Sequence, residues 1–336
     1  MNNFEDKYSK YALAREMLET SRIIKNFKTT DLKPAVESLK ATKKLFMTGE
    51  GSSRIFPAKN AIKLSLEKGL DLNLQTQGSR QAAEGDLSAF TLFGASNSGK
   101  TKELISLFMA KKAAQQFGLT ANHNTPLEEL SQAGYILGCG KEDAVAATKS
   151  VIEQGLFYHE LLEQYQGKSI GNAQLSELGD KAQQVLELKI DSGLVSKITR
   201  ASIIYFAGRN DGVAEEATLK TNEITRKKSA YLEGTYAAHG IEEVMNPDEV
   251  VIVVDPFKEE EEKFQEVLVK GVGMNIIAIA SRPTLFPTVI IPSMAGFDGY
   301  LQLMACWNLL VEIGISLEIN LDKPVRARKI GNEYIA

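Results

Sequence analysis

The segment Gly94–Thr101, with the sequence GASNSGKT, places short hydrogen-bonding side chains between a hydrophobic run and a helical pattern. These side chains belong to Ser96, Asn97, Ser98 and Thr101. Together with a helix that begins near Gly99, they would aim hydroxyl groups, an amide and backbone N–H groups at one point. Such a cup suits one phosphate monoester, bound without a metal.

Two other interpretations of the same segment remain open at this point. It matches the pattern G-x-x-x-x-G-K-[ST] of nucleotide-binding P-loops, and Glu249–Asp255 (EVVIVVD) resembles the strand that ends in a magnesium-binding aspartate. Alternatively, the segment only caps a helix, with Ser98 as the N-cap residue.

The composition excludes several function classes. A hydrophobic content of 43%, a charged content of 24% and a formal net charge of −4 argue against a general nucleic-acid or anionic-membrane binder. The sequence has no signal-like leader and no membrane-spanning apolar run, so we expect a cytoplasmic protein. Cys139 and Cys306 lack metal-ligand spacing, and only three histidines are present, so we expect no metal and no cofactor.

Short hydrophobic runs alternate with helical patterns in both halves of the chain. Residues 1–30 predict a leading helix. The runs then predict strands at 44–48, 70–74, 89–93 and 135–137 and, in the second half, at 202–207, 249–254, 275–280 and 288–291. Helices are predicted near 54–68, 99–116, 142–165, 213–228, 258–271 and 297–314. We therefore expect an α/β fold with parallel-sheet domains at 31–170 and 196–319, a linker helix at 171–195 and a tail at 320–336.

The two halves have the same strand spacing. Phe46 and Leu92, in the first and third predicted strands, are 46 residues apart, and so are Tyr205 and Val251 in the second half. This spacing predicts two copies of one domain. The GASNSGKT segment and Asp255 then follow equivalent strands of different domains, whereas a P-loop enzyme needs both elements at neighbouring strands of one sheet. The duplication therefore disfavours nucleotide binding.

Several motifs carry a resemblance to a known family. The turn Gly51–Ser53 is similar to C-G-T-S, Ser96–Thr101 to S-Q-S-G-E-T, and Gly140–Lys149 to G-T-E-x-x-V-A-S-T-K. In the second half, Ala214–Glu223 (AEEATLKTNE) followed by His239 matches A-L-E-G-A-L-K-L-K-E with a histidine 16 residues later. The chain thus resembles the sugar isomerase (SIS) family, particularly the isomerase half of glucosamine-6-phosphate synthase and the fructosamine-6-phosphate deglycases. This resemblance implies two similar flavodoxin-like (SIS) domains.

The resemblance also implies roles for individual residues. The substrate phosphate would be bound by Ser52, Ser53, Ser96, Asn97, Ser98 and Thr101. Other substrate contacts would come from Gly51, Glu142 and Ala147, the last of which replaces a serine of the family pattern. Catalysis would use Glu223 as the base, Lys220, His239 and the tail residue Lys329, which matches a Schiff-base lysine. A glutamine-hydrolysing domain is not expected.

Helical spacing brings Glu216, Lys220 and Glu223 to one face, because they occupy positions i, i+4 and i+7. Such a row is either a solvated ion-pair stripe or, beneath a sugar phosphate, a device for proton transfer. His239 is likewise either a structural histidine of a turn or an acid–base group that opens the sugar ring.

The expected activity is proton transfer at C1 or C2 of a hexose 6-phosphate, an amino-sugar 6-phosphate or a fructosamine 6-phosphate. Isomerase, deaminase and deglycase remain open. The alternative is a sugar-phosphate sensor without catalysis, and a P-loop NTPase is the third candidate. In related enzymes the histidine reaches the site of the other subunit, so we expect a homodimer with a shared active site and no nucleic-acid or membrane partner.

Overall fold

The computed structural model describes residues 1–29, 31–326, 333 and 334. Within these ranges the strands are β1 (Lys44–Gly49), β2 (Asn73–Gln77), β3 (Thr91–Ala95), β4 (Gln115–Thr120), β5 (Ala133–Ile136), β6 (Ile203–Gly208), β7 (Lys228–Glu233), β8 (Val250–Val254), β9 (Asn275–Ala280) and β10 (Thr288–Ile290).

The helices alternate with these strands. They are α1 (Asp6–Ser9), α2 (Ala12–Lys25), α3 (Lys33–Thr42), α4 (Ile55–Glu67), α5 (Ser79–Ala82), α6 (Lys102–Met109), α7 (Pro126–Leu130), α8 (Lys149–Tyr165), α9 (Asn172–Glu187), α10 (Ser192–Arg200), α11 (Val213–Thr225), α12 (Glu261–Phe264) and α13 (Asp298–Ser316). A π-helical stretch, Gln265–Val272, continues α12. No helix in the described part of the chain combines the length and apolar content needed to cross a membrane.

The strands form two five-stranded parallel sheets with the same topology. The first has the order β2-β1-β3-β4-β5 and the second the order β10-β9-β8-β6-β7. Counted within each sheet, both orders are 2-1-3-4-5, the flavodoxin-like arrangement. The predicted α/β fold with two similar domains is therefore confirmed.

The predicted repeat spacing is visible in the strand registers. Phe46 of β1 lies beside Leu92 of β3, and Tyr205 of β6 lies beside Val251 of β8. Each pair flanks the point where the strand order reverses, which is where open α/β sheets bind ligands at their carboxyl edge. A ligand site is therefore expected in the segments that follow β1, β3, β6 and β8.

The described residues divide into two units. The first unit contains β1–β5 and comprises Arg22–Glu142, Ala147–Glu177, Glu333 and Tyr334. The second contains β6–β10 and comprises Met1–Ser21, Asp143–Ala146 and the chain from Leu178 to Arg326. In the second unit the central strands β8 and β9 are almost wholly buried, because helices cover both faces of a parallel sheet.

Two strands were missed by the sequence analysis. Each begins inside a predicted helix, β4 at Gln115 within 99–116 and β7 at the last residue of 213–228. The observed helices stop earlier: α6 ends two residues before the left-handed Lys111 (φ 47°), and α11 ends directly before the left-handed Arg226 (φ 59°). Neither stop is marked by glycine, β4 is glutamine-rich and β7 is half exposed, so no sequence pattern marks these helix ends or strands.

Three predicted boundaries were also wrong. β2 is a polar edge strand that begins at Asn73 instead of at residue 70, and β3 begins at Thr91 instead of at 89. α8 begins at Lys149 instead of at 142, because residues 142–148 form a loop around the carboxylate of Glu142. Polar edge strands and side-chain-supported loops lack the hydrophobic periodicity on which such predictions rely.

Candidate active site

The turn after β1 brings two serines to the carboxyl edge of the first sheet. Gly51–Ser53 forms a short 3-10 turn in which Gly51 has a left-handed backbone (φ 52°). Just before it, Gly49 permits close contact with the next strand, since a Cβ there would lie 2.7 Å from the carbonyl oxygen of Ala95. Ser52 is buried and Ser53 half buried. Because the turn directly follows β1, both serines lie at the reversal point of the sheet.

The loop after β3 concentrates hydroxyl groups at the same edge. The Ser96 and Thr101 hydroxyl oxygens are 2.8 Å apart. The Ser96 hydroxyl accepts the backbone N–H of Gly99 at 3.0 Å, and the Ser98 hydroxyl accepts that of Lys100 at 3.2 Å. Because a hydroxyl that accepts a hydrogen bond still has its own proton to donate, the loop offers hydroxyl donors, although one proton of the Ser96–Thr101 pair lies between those two oxygens.

The helix after this loop begins later than predicted. α6 starts at Lys102 with Thr101 in the N-cap position, not near Gly99, and Ser98 is not its N-cap residue. The reason is the backbone of Gly99, whose φ of +66° is incompatible with a right-handed helix. A described C-terminal residue also contacts the loop, since the Tyr334 N–H donates to the carbonyl of Lys100 at 2.8 Å.

Glu142 lies beneath this loop and is only 3% exposed. Its carboxylate accepts the side-chain N–H of Asn97 at 3.0 Å, the backbone N–H of Thr148 at 2.7 Å and the Ser150 hydroxyl at 2.6 Å. These contacts tie Asn97 to the start of α8. Ala147, which precedes Thr148, is half buried in the same loop. Glu142 thus supports the loop from behind, and Asn97 retains its amide oxygen and one N–H for a ligand.

In the second unit, α11 carries the predicted row of charges. The Lys220 ammonium lies 2.7 Å from a carboxylate oxygen of Glu223 and 3.3 Å from one of Glu216. The side chains of Lys220 and Glu216 are fully buried, whereas that of Glu223 is 25% exposed. The row is therefore not a solvated ion-pair stripe: two of its three charges are out of contact with water.

Opposing effects act on the Lys220 ammonium. Burial by itself lowers its pKa, but the neighbouring Glu223 and Glu216 carboxylates outweigh burial, and the net pKa is raised. Lys220 is therefore a fixed positive charge at neutral pH. Of the three groups, only Glu223 combines a lysine partner with access to solvent, which suits a carboxylate that accepts a proton from a ligand.

A cavity of about 590 Å³ opens beside Glu223. Its walls come from the end of α11 and from the tail, and its lining residues are Asn222, Glu223, Arg226, Pro324, Val325 and Arg326. Arg226 was not singled out by the sequence analysis. A left-handed arginine after a helix has no characteristic sequence pattern, so only the structure identifies it.

His239 lies on an exposed turn between two 3-10 segments, Tyr236–Ala238 and Ile241–Val244. Its Nε2 atom is 3.1 Å from the Lys263 ammonium. In the described part of the chain it contacts neither Lys220 nor Glu223. The His239 side chain is exposed, so it is not packed into a core. The tail residue Lys329 lies outside the described residues.

The P-loop interpretation is wrong. The GASNSGKT segment follows β3 of the first sheet, whereas Asp255 follows β8 of the second sheet. The Asp255 carboxylate is bound to Arg209 instead, with Oδ2 2.6 Å from Nη1. Among the described residues, no group of three or more histidine, cysteine or acidic side chains is arranged to hold a metal ion.

No protein-family model matches this sequence, and no curated protein matches it. Solved structures match almost the whole chain. The C-terminal domain of glucosamine-fructose-6-phosphate aminotransferase from Francisella tularensis has a TM-score of 0.75 at 17% identity, covering 95% of this chain and 100% of that one. Tagatose-6-phosphate ketose/aldose isomerase from Escherichia coli has a TM-score of 0.75 at 16% identity, covering 96% and 99%.

A third similar structure is glucosamine-6-phosphate deaminase from Thermotoga maritima, with a TM-score of 0.72 at 18% identity and coverage of 96% of this chain and 99% of that one. At such identities the likeness is one of fold. The match extends over both sheets, and the two sheets share one flavodoxin-like topology. This chain therefore has the double-SIS (sugar isomerase) fold that the sequence motifs predicted.

Proposed function

We propose that this protein moves a proton between C1 and C2 of a hexose 6-phosphate or an amino-sugar 6-phosphate. The observation that carries the proposal is the buried row on α11, in which Lys220 joins two carboxylates and only Glu223 reaches solvent. Two structural neighbours support it by name, because one is a tagatose-6-phosphate ketose/aldose isomerase and one a glucosamine-6-phosphate deaminase.

In this proposal the hydroxyl-rich loops of the first unit bind the phosphate. Ser52, Ser53, Ser96, Ser98 and Thr101 donate hydrogen bonds to its oxygens, and Asn97, held by Glu142, adds an amide N–H. The backbone N–H groups at the start of α6 contribute the positive end of a helix dipole. Gly51 and Ala147 belong to the loops that border this phosphate site.

Glu223 performs the chemistry in this proposal. Its carboxylate removes the proton from the carbon next to the sugar carbonyl. The electrons of that C–H bond form the C1=C2 double bond, and negative charge develops on the former carbonyl oxygen. The buried Lys220 ammonium stabilises that charge. The hydroxyl on the deprotonated carbon then passes its proton to the charged oxygen and becomes the new carbonyl, while Glu223 returns its proton to the former carbonyl carbon. The same proton transfer begins deamination or deglycation, in which water subsequently replaces the amine.

His239 opens the sugar ring in this proposal: it protonates the ring oxygen as the bond from that oxygen to the anomeric carbon breaks, and the anomeric hydroxyl loses its proton to water and becomes the carbonyl. Since His239 lies on an exposed turn, we propose that it serves the site of a second copy in a homodimer. Mixing Glu223→Gln chains with His239→Asn chains tests the idea. In a shared site, each mixed dimer regenerates one intact site, so about a quarter of the wild-type activity returns in a random mixture. No recovery on mixing refutes the shared site.

The test of the reaction is exchange with deuterated water. Incubation with aldose, ketose and fructosamine 6-phosphates should place deuterium at C1 or C2, detected by NMR. Glu223→Gln should abolish the exchange while ligand binding, measured by thermal shift, is retained. The matched control is Glu233→Gln, an exposed glutamate at the end of β7, which should exchange at the wild-type rate. Binding without exchange on every sugar supports the alternative, a sensor without catalysis.

The Schiff-base role of Lys329 is tested separately. Borohydride trapping in the presence of a ketose 6-phosphate should attach the sugar covalently to Lys329, as seen by mass spectrometry of the digested protein. If the chain is a deglycase that relies on Glu223 and His239, the adduct is absent although deuterium exchange persists.

A further inference from the structure

Arg226 has an unfavourable backbone conformation directly after the helix that carries Glu223. It is left-handed, with φ 59°. A side chain with a Cβ atom pays about 1 kcal/mol or more for this conformation, and glycine is the usual residue at such helix ends. Hydrogen bonds made by the guanidinium group offset this cost.

The guanidinium group of Arg226 binds four backbone carbonyls on two separate segments. Nη1 donates to the carbonyls of Glu223 and Ile224, at 2.7 and 2.8 Å. Nη2 donates to the carbonyls of Asn320 and Lys323, at 2.6 and 3.1 Å. One side chain therefore caps the last turn of α11 and fastens it to the tail.

The tail segment that Arg226 binds is itself fixed. Leu321 is 1% exposed, and the Asp322 carboxylate accepts the backbone N–H groups of Ala12 and Leu13 at the start of α2, at 2.9 and 2.8 Å. Gly314 of α13 lets Leu321 pack closely against that helix, because a Cβ at position 314 would lie 2.5 Å from the Leu321 side chain. Asn320–Lys323 thus forms a rigid support.

The cavity beside Glu223 has Arg226 in its wall, together with Pro324 and Val325 directly after this support. Burial lowers the pKa of the Arg226 guanidinium from its ordinary value. That pKa starts so high that the group stays charged at neutral pH. Its positive charge also suits the carbonyl end of a helix.

We propose that Arg226 is a positioning residue for Glu223: it locks the last turn of α11 to the tail and so fixes the catalytic carboxylate and the adjoining cavity wall. The inference rests on the proposed role of Glu223. Lysine cannot replace arginine here, because an ammonium group does not bridge two pairs of carbonyls in a plane.

The test compares Arg226→Gly with Glu318→Gly. Glu318 is also left-handed (φ 55°), exposed and in the same unit, so both changes relieve the same backbone strain. Arg226→Gly should lower kcat for deuterium exchange on the order of 10- to 100-fold with KM changed less than about threefold, because misplacement of a catalytic group acts on the chemical step. Glu318→Gly should leave both values unchanged.

Two further readouts separate positioning from general stability. Millimolar guanidinium ion should partly restore kcat in Arg226→Gly but not in Glu223→Gln, and Arg226→Lys should remain impaired. Wild-type kcat in Arg226→Gly overturns the proposal. If the wild-type protein exchanges no sugar, the proposed function fails. Amide hydrogen exchange then still tests whether Arg226 holds α11 to the tail. Protection of residues 223–225 and 320–326 should fall in Arg226→Gly but not in Glu318→Gly, and unchanged protection in Arg226→Gly refutes the proposal.

Discussion

Lys220 carries its positive charge where water does not reach. Two carboxylates on the same helix compensate the cost of that burial. Buried ion pairs contribute little net stability compared with well-packed apolar residues. Their presence on α11 is therefore consistent with the chemistry that we propose for Glu223.

Removal of the Lys220 charge should destabilise the protein. Lys220→Met leaves the fully buried Glu216 carboxylate without its ammonium partner, so we expect a loss of about 3 kcal/mol in the free energy of unfolding. Urea denaturation measures it. The double variant Glu216→Leu/Lys220→Met removes both buried charges and should recover much of that loss. Equal losses in the single and double variants contradict the account.

Glu153 on α8 is a second buried carboxylate, with a different pH response. It is 4% exposed, and its Oε1 atom accepts the N–H of Gly138 at 2.7 Å. Burial raises its pKa, so the folded state holds this proton more tightly than the unfolded state. The resulting stabilisation is present at acidic pH and is lost as pH rises through the folded-state pKa.

The variant Glu153→Gln removes this titration. Its stability relative to wild type should therefore increase as pH is raised from about 4 to about 8, because only the wild type must place a charge in the buried site. Thermal melts across that range measure the difference. Glu262→Gln, an exposed glutamate of α12, is the control and should show no such trend. A pH-independent difference for Glu153→Gln contradicts the argument.

At the residue scale, the sequence predicted which side chains share the face of α11 but not how deeply they are buried. The spacing of Glu216, Lys220 and Glu223 placed all three on one helix face, as observed. Their burial was not predictable, because it depends on the elements packed around α11. Arg226 escaped prediction for a related reason: its partners Asn320 and Lys323 lie almost a hundred residues away in sequence.

At the scale of elements, strands that are continuous hydrophobic runs could be predicted, whereas the glutamine-rich β4, the half-exposed β7 and the loop geometry could not. β1, β6, β8 and β9 are hydrophobic runs, so their positions followed from composition. β2 and β7 lie at sheet edges with exposed residues, and their hydrogen bonds to β1 and β6 define them instead. The late start of α6 likewise depends on one backbone angle at Gly99.

Gly99→Ala tests the loop that is proposed to bind phosphate. An added Cβ would lie 2.5 Å from the Thr125 Cβ, in addition to the cost of the left-handed backbone. We expect a loss of about 2–3 kcal/mol in stability and weaker phosphate binding. Gly69→Ala is the control, because Gly69 is also left-handed (φ 60°) with no neighbour within 4 Å, and should lose only about 1 kcal/mol. Equal losses in the two variants contradict the role of Thr125.

At the scale of the whole molecule, duplication has produced two sheets with different carboxyl edges. The first carries hydroxyl groups after β1 and β3. At the equivalent place after β6 and β8, the second carries the ion pair of Arg209 and Asp255, with Arg209 stacked 4.3 Å from the centre of the Phe257 ring. Among the described residues, the hydroxyl loops that we propose for phosphate binding lie at the first edge. The repeat spacing predicted the duplication but not this divergence, which depends on a few loop residues.

We propose that the hydroxyl loops and Glu223 act on one substrate molecule. The most direct test measures kcat/KM for deuterium exchange with two substrates, a hexose 6-phosphate and the same hexose without phosphate. Each substrate is measured with the wild type and with the double variant Ser96→Ala/Ser98→Ala, which gives a complete cycle of four rates. We predict that loss of the phosphate and loss of the hydroxyls each cost about 10- to 100-fold, and that both together cost little more than either. If the two losses multiply, or if the sugar without phosphate exchanges as fast as the 6-phosphate, the claim is contradicted.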